Sequence, residues 1–591
     1  MRIGFARLFS LVFAVTVLGA GFSAGPAAAA PPRVRAARPA GAAARFEASR
    51  RRLDGTIGSS NVATADPPVP RPDTKPCVVP LFSGDTFADF TPKVFAYTPP
   101  AACPGPWAKV VLELNLSVDP GRQFDRTATI GLGGASIFFG TTAEPGRTLG
   151  PSWHVERDLT DLSALFAKAN SGQISIGNVV DSTYTSSLHG SAVIEFYPPD
   201  RRFPAPRTAD VVVPLADVNG NPVALYTTAS ALSVSFVPPT NVERAELDVI
   251  AQSQSDDEFW YTCFPNDLAT LLNNCGNTAF RETEVAVDGK PAGVAPVYPW
   301  IYTGGIDPYL WRPIPGVQTL NFKPYRVDLS PFAGTLDDGA SHAVALSVYN
   351  ADSYFQAVGN LLLFLDRDAH KALSGKVDTD TLSATPVENV KEGGSFNASG
   401  IGQGTIDTAS QRTYTIAGHV NTSHGVVRSQ VHAWIAFRQH QDVTSTATSF
   451  VQNIKQDTGI VAASTSFGGD GPSARQESFD WPLLLKYAYT VNTDGSSVQT
   501  TSIAQGYSAL TFSGGGFGPG GLGRNGFASY TSDSVNPTDT LNFDATGALT
   551  SFTNNSSSQT YVYRDTNGAC YGKRLTSAAG VLTSDKYIGC R

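Results

Sequence analysis

Hydrophobic and polar residues alternate along this chain in short runs parted by turn residues, a pattern of many brief strands. Residues 110–116 (VVLELNL) alternate in part, as a half-buried strand does. Residues 127–132 and 135–139 flank a Gly133-Gly134 pair, which predicts a hairpin. Further strands are predicted over 153–159, 174–180 and 191–197, with a short helix over 162–169, before Pro198-Pro199 breaks the run. The style resumes from 201 to 372. Residues 245–251 alternate over their first five positions, 283–287 lead into an Asp288-Gly289 turn, and 361–365 (LLLFL) form a continuous apolar strand. From 373 to 591 the alternation weakens, as in 410–416 (SQRTYTI), and Ser, Thr, Asn and Gly dominate. The pattern predicts an all-β protein: two tandem jelly-roll-like antiparallel β-sandwich domains, 76–200 and 201–372, plus a C-terminal β-rich domain, 373–591.

The N-terminus reads differently. Arg2 and Arg7 precede an apolar run over 8–22, and small residues over 25–30 offer a cleavage site near Ala30. Residues 1–30 are therefore predicted to be a cleaved signal peptide, which makes the protein secreted and extracellular. No later segment is long and apolar enough to span a bilayer. Residues 31–75, rich in Ala, Pro and Arg, read as a disordered linker or pro-segment. The glycine-rich stretch 514–526 lacks the Lys of a phosphate loop and reads as a flexible surface loop.

Six cysteines in an exported chain are expected to pair. Nearest neighbours fall inside one predicted domain each: Cys77 with Cys103, Cys263 with Cys275, and Cys570 with Cys590. No CxxC occurs and no histidine pair flanks the cysteines at ligand spacing, so no metal is expected. Charged residues make up 16% of the chain, against about 25% in an average soluble protein. With a net charge of -8 and no basic stripe, nucleic acid is not an expected partner.

Two clusters set acids beside aromatic rings: GRQFDR at 121–126 and DDEFWY at 256–261. Acids in such surroundings suit the gripping of a sugar and the handling of a proton. Asp125, beside Arg126, reads either as a catalytic acid or as half of a structural ion pair. Glu258 follows two more acids, whose crowding raises a carboxyl pKa, but the same cluster also fits a solvated acidic turn. Trp260, Tyr261, Trp300, Tyr309 and Trp311 are suited to stacking on sugar faces or to filling a core. Arg281 and Arg312 are suited to binding carbonyl or hydroxyl oxygens, or to pairing with acids. Other catalytic routes lack their residues: there is no GxSxG, no HExxH, and every cysteine has an expected disulfide role. His154 and Glu156 share a strand face, but two ligands do not make a metal site.

Several motifs in fixed order resemble the peptide:N-glycosidase A family: GRQFDR, GLGG at 131–134, TAEP at 142–145, GNVVDSTYT at 177–185, DEFWY at 257–261, GNTAFRE at 276–282 and YTGGIDPYLWRPI at 302–314. The resemblance covers roughly residues 76–370. A weaker resemblance reaches peptide:N-glycosidase F, with two jelly rolls and a site between them. It implies a secreted amidase that cleaves the bond between asparagine and the first N-acetylglucosamine of N-linked glycopeptides or glycoproteins, with no cofactor. It further implies Asp125 as the acid that orients or deprotonates water, Glu258 as proton donor or oxyanion stabiliser, and Asp181 as a third acid, with Asn178 the alternative. Arg126 and Phe124 would then hold the first sugar or the carbonyl, and Phe259, Trp260, Tyr261, Arg281, Trp311 and Arg312 the glycan core. An acidic pH optimum is expected, because the donor must stay protonated. The rival readings are a glycan-binding sandwich without turnover and an endoglycosidase that cuts between the two core sugars.

Overall fold

The computed structural model describes residues 55–468, 471–515, 517–518, 521–522 and 526–590. The predicted signal peptide, the first part of the predicted linker and part of the glycine-rich stretch lie outside the described residues.

Eight strands form the first sheet pair: β1 (Cys77–Phe87), β2 (Lys93–Tyr97), β3 (Lys109–Val118), β4 (Thr127–Leu132), β5 (Ala135–Thr141), β6 (Ser152–Asp158), β7 (Asn170–Ile176) and β8 (Leu188–Tyr197). They pair antiparallel as β1-β8-β3-β6 and β2-β7-β4-β5. The sheets meet through Leu112, Leu114 and Ile194 on one side and Ile130, Phe138 and Ile174 on the other, all fully buried. The β4–β5 hairpin turns on Gly133 and Gly134, whose φ of 58° and 83° are the left-handed pair that a two-residue hairpin loop needs. β7 stops at Ile176, short of the predicted residue 180, and Asn178 there donates to Phe87 O (3.0 Å) and Ser186 O (3.2 Å). The predicted helix is a 3-10 turn, Thr160–Leu162, running into one helical turn, Ser163–Phe166.

The second sheet pair repeats that strand order. Its strands are β9 (Val211–Leu215), β10 (Val223–Leu225), β11 (Ala231–Phe236), β12 (Val242–Gln254), β13 (Glu282–Val287), β14 (Lys290–Pro296), β15 (Tyr325–Asp328), β16 (His342–Tyr349) and β17 (Tyr354–Leu365). One sheet runs β10-β17-β12-β15, with β9 also on β17; the other runs β11-β16-β13-β14. Every residue of β5 is buried, because its outer side meets the second pair. Phe139 packs edge-on against Phe322, and Thr141 donates both its N–H and its hydroxyl to Thr319 O.

Among the described residues, the C-terminal region forms an antiparallel sheet of thirteen strands, with Phe517–Gly518 and Gly521–Leu522 pairing apart from it. Its longest members are β20 (Gly402–Thr422), β21 (Gly425–Ser445) and β22 (Ser449–Phe467), which follow β18 (Gly375–Asp380) and β19 (Glu388–Phe396). One face shares a core with the second sheet pair, placing Ile416, Ile435 and Phe437 in the same cluster as Trp260 and Phe280. Along β20 burial alternates strictly, but several inward positions are polar, among them Thr408, Ser410 and Arg412. Arg412 ion-pairs with Glu282 (2.7 Å) and Glu284 (3.0 Å) of β13, and a scan for apolar periodicity overlooks such positions.

Residues 55–75, part of the stretch read as a disordered linker or pro-segment, pack against the C-terminal sheet and the first sheet pair. Ala63 and Ala65 are core residues, and Ala65 N–H donates to Gln559 Oε1 at 2.6 Å. Arg71 holds three strand-borne carboxylates, Glu113 (2.9 Å), Glu156 (2.7 Å) and Glu195 (3.1 Å). A guanidinium with five donors satisfies this array, and Arg71 is thereby held in place despite an Ala- and Pro-rich context. The three expected cysteine couples are the three disulfides of the structure. No helix among the described residues is long and apolar enough to cross a membrane.

Candidate active site

A cleft of about 440 Å³ opens where β4 and β7 of the first sheet pair face β12 and β17 of the second. Asp125 and Glu258 both line it, with Arg126, Gln254, Tyr302, Tyr354 and Gln356. Asp125 sits in the segment entering β4, where Gln123 anchors the approach. The Gln123 amide donates to Val179 O (2.8 Å) and Ser186 O (3.2 Å), and its oxygen accepts from Arg126. Glu258 follows the 3-10 turn Ser255–Asp257 that ends β12, and its N–H closes that turn onto Ser255 O at 3.0 Å.

Asp125 Oδ2 accepts the Gly304 N–H at 3.0 Å. Burial outweighs that bond and the charge of Arg126, and raises the Asp125 carboxyl to about 6. Glu258 is pushed to about 8, first by burial and then by the negative charge of Asp125. Around neutral pH the two therefore hold different protonation states, one ionised and one acid, as paired acid–base work requires. Tyr302 lines the same cleft, its hydroxyl donating to Ser253 O at 2.6 Å. The Arg126 Nε and the Gln356 Oε1 are buried without a protein partner, which leaves a donor and an acceptor at the cleft.

A third acid, Glu144, stands behind Asp125. A Cβ on Gly304 would lie 2.2 Å from Glu144 Oε2 and 3.0 Å from Asp125 Oδ1, so glycine alone leaves room for both carboxyls. Burial and the Asp125 charge raise Glu144 to about 8, against the opposing charge of Arg312. Glu144, Gly304 and Tyr302 were missed as site residues, although TAEP and YTGG were visible as motifs. Their signal was a resemblance in order, with no chemistry attached.

Several expected site residues lie elsewhere. Asp181 is exposed and caps its own turn, accepting the N–H groups of Thr183 (2.7 Å) and Tyr184 (2.8 Å). Those bonds hold its carboxyl low, and it does not line the cleft. Trp260, Tyr261 and Trp311 are core, with 1%, 0% and 2% of their surface exposed, and Phe259 packs against that core. The Trp311 indole donates to Gly305 O at 2.8 Å. Trp300 is also buried, against Phe322. Arg281 is fully enclosed, binds Asp257 (2.9 Å), and donates to carbonyls including Asn277 O and Thr278 O. Arg312 donates to Pro145 O and lies over the Tyr309 ring. The aromatic groups open to solvent near the cleft are others. Phe90 (70% exposed) lines it, and Phe124 (49%) packs on Tyr184 under Arg126 and Arg122. On the second sheet pair Tyr226 packs on Tyr354, with ring centroids 5.7 Å apart. Glu113, His154 and Glu156 bring ligand-type atoms together, but the two glutamates are bound by Arg71.

Fold and site together define a β protein with a carboxylate-lined cleft between two sheet pairs of the same strand order. Residues 68–381 match the sequence profile of the family described as peptide N-acetyl-beta-D-glucosaminyl asparaginase amidase A, and the chain belongs to that family. It is 31% identical over 385 residues to peptide-N4-(N-acetyl-beta-glucosaminyl)asparagine amidase A of Prunus dulcis, covering 61% of this chain and 66% of the relative. Among solved structures it is similar to PNGF-II, at 12% identity and a TM-score of 0.36, over 50% of this chain and 66% of that one. It is also similar to a peptide-N(4)-(N-acetyl-beta-D-glucosaminyl) asparagine amidase, at 13% identity and a TM-score of 0.33, over 49% and 96%.

Proposed function

We propose that this chain is a secreted glycoamidase that hydrolyses the bond between the asparagine side chain and the first N-acetylglucosamine of an N-linked glycan. The glycan leaves as a glycosylamine and asparagine becomes aspartate. The observation that carries this reading is the meeting of Asp125 and Glu258 in one cleft with carboxyl groups raised to about 6 and about 8. Family membership supports the substrate class. The strand order of each sheet pair supports a jelly-roll reading of both. Three disulfides and the N-terminal sequence support export.

In this mechanism ionised Asp125 takes a proton from a water that attacks the side-chain carbonyl carbon. Arg126, with its free Nε, stabilises the oxygen that gains charge. The C–N bond then breaks, and protonated Glu258 delivers a proton to the departing nitrogen. Glu144, mostly protonated near pH 7, adds no second negative charge beside Asp125. Phe90 and Phe124 on one rim and Tyr226 on the other offer exposed rings for sugar or peptide, Phe124 and Tyr226 backed by half-buried Tyr184 and Tyr354.

The test is mass spectrometry of a defined N-glycopeptide incubated with the protein in water enriched in heavy oxygen. Release of the intact glycan with label in a new aspartate is the expected result. A peptide that keeps one N-acetylglucosamine would make the protein an endoglycosidase. An unchanged glycopeptide bound by folded protein would make it a glycan-binding module.

A further inference from the structure

Behind the segment that carries Glu258, the C-terminal sheet presents four buried glutamines where an ordinary sheet-packing face would be apolar. Gln439, Gln441, Gln452 and Gln456 are between 0% and 4% exposed. Gln439 Nε2 donates to Tyr261 O at 2.8 Å, Gln452 Nε2 to Thr262 O at 3.0 Å, and Gln441 Nε2 to Cys263 O at 2.9 Å. Three consecutive carbonyls of one short segment are thus each held by a different side chain. The amides are also joined to one another. Gln452 donates to Gln441 Oε1 (2.8 Å), Gln441 to Gln439 Oε1 (2.6 Å), and Gln439 to Gln456 Oε1 (2.8 Å). Register makes this possible: Gln439 and Gln456 are direct cross-strand partners on β21 and β22, and the inward face of each strand recurs every second residue.

We propose that this glutamine ladder is the positioning device for Glu258, and that setting the proton donor in the cleft is a function of the C-terminal sheet. The proposal rests on the amidase reading of Glu258. The segment it grips is short and stiff. Thr262 N–H returns to Phe259 O at 2.7 Å, Cys263 N–H returns to Trp260 O, and Cys263 is bonded to Cys275. Trp260 packs on Phe437 of β21 from the same side as the ladder. Displacement of residues 261–263 is therefore passed through a single turn to Glu258, whose own carbonyl accepts from Ser253 Oγ. A linked chain of amides has few alternative arrangements, because shifting one leaves a buried carbonyl unpaired. An apolar face would pack against the same segment without fixing its depth.

The test compares Gln441→Met, a near-isostere that cannot donate, with Glu258→Gln and with Leu575→Ala, a core change far along the sheet. Intact protein is assayed for glycopeptide cleavage across pH, and Tm is recorded for each. Gln441→Met is expected to lower kcat by about ten- to hundredfold, the cost of a misplaced catalytic group. The basic limb of its kcat profile should move, while KM stays within about twofold because substrate binding is untouched. Leu575→Ala should lower Tm without moving the limb. Should Gln441→Met fail to fold, Gln441→Glu takes its place. As a neutral acid it can still donate to Cys263 O, though not also to Gln439 Oε1, so its kcat relative to wild type at the same pH should rise as pH falls. A wild-type limb and kcat in the Gln441 variants, with Glu258→Gln inactive, would overturn the ladder's role alone. Full activity in Glu258→Gln would overturn the reading of Glu258 itself, and the ladder's role with it.

Discussion

Asp125 and Glu258 carry the same functional group in one cleft, yet burial of both, with the charge of Asp125 acting on Glu258, sets them on either side of neutrality. Asp125→Asn keeps the shape and removes the base, and kcat should fall by about 10²- to 10⁴-fold with Tm nearly unchanged. Steady-state kinetics beside a melting curve checks this, and near-wild-type turnover would sink the assignment. The rate profile should be bell-shaped, rising as Asp125 ionises near 6 and falling as Glu258 loses its proton near 8. Because each acid feels the other, the two limbs belong to the cluster rather than to single residues. The optimum is then near neutral rather than acidic, since burial raises the base as well as the donor. Gly304→Ala would thrust a methyl group between Glu144 and Asp125. It should cost about ten- to hundredfold in kcat, with KM changed little. Composition near Asp125 made an acid beside Arg and an aromatic ring legible. Glu144 was not legible as chemistry, because its meaning comes from Gly304, distant in sequence and adjacent in space.

At the scale of elements, the segment from Asp256 to Glu282 shows how a motif divides between chemistry and support. Of DEFWY, Glu258 reaches the cleft, while Asp257 turns inward to Arg281 and to the N–H groups of Asp352 and Ser353, both at 2.8 Å. The pair is fully enclosed, so removing one partner strands a charge. Arg281→Met should destabilise the protein by about 3–5 kcal/mol, read by urea unfolding. A midpoint within error of wild type would show the pair to be dispensable. The motif was legible because aromatic and acidic residues stood together. The split was not, because a 3-10 turn sends neighbouring side chains to different sides, and periodicity over so short a run carries no direction. The same limit explains Trp260, Tyr261 and Trp311. Their aromatic character suits a sugar platform and a core equally, and only packing distinguishes the two.

Across the whole molecule, buried carboxyl groups recur where the C-terminal sheet meets the rest. Asp307 faces Asp539, which is raised to about 8, and Asp66 faces Asp533, both raised by burial. A carboxyl whose pKa is higher folded than unfolded makes the folded state the greater proton binder between those two values. Stability then falls as pH rises through that window, from about 4 to about 8. Tm should drop by at least a few degrees between pH 5 and pH 8, measured calorimetrically at fixed ionic strength. An unchanged or rising Tm would show that these carboxyls do not share protons as the geometry implies. By itself the sequence determined the strand-rich class, the cysteine couples and the two acid clusters, because alternation, spacing and residue type are local properties. Only the tertiary structure decided that residues 55–75 are built into the fold, that Asp181 caps a turn, that Glu144 joins Asp125, and that buried glutamines of the C-terminal sheet hold the segment bearing Glu258. Each of those depends on which distant backbone a side chain meets, and sheet register, not proximity along the chain, sets that meeting.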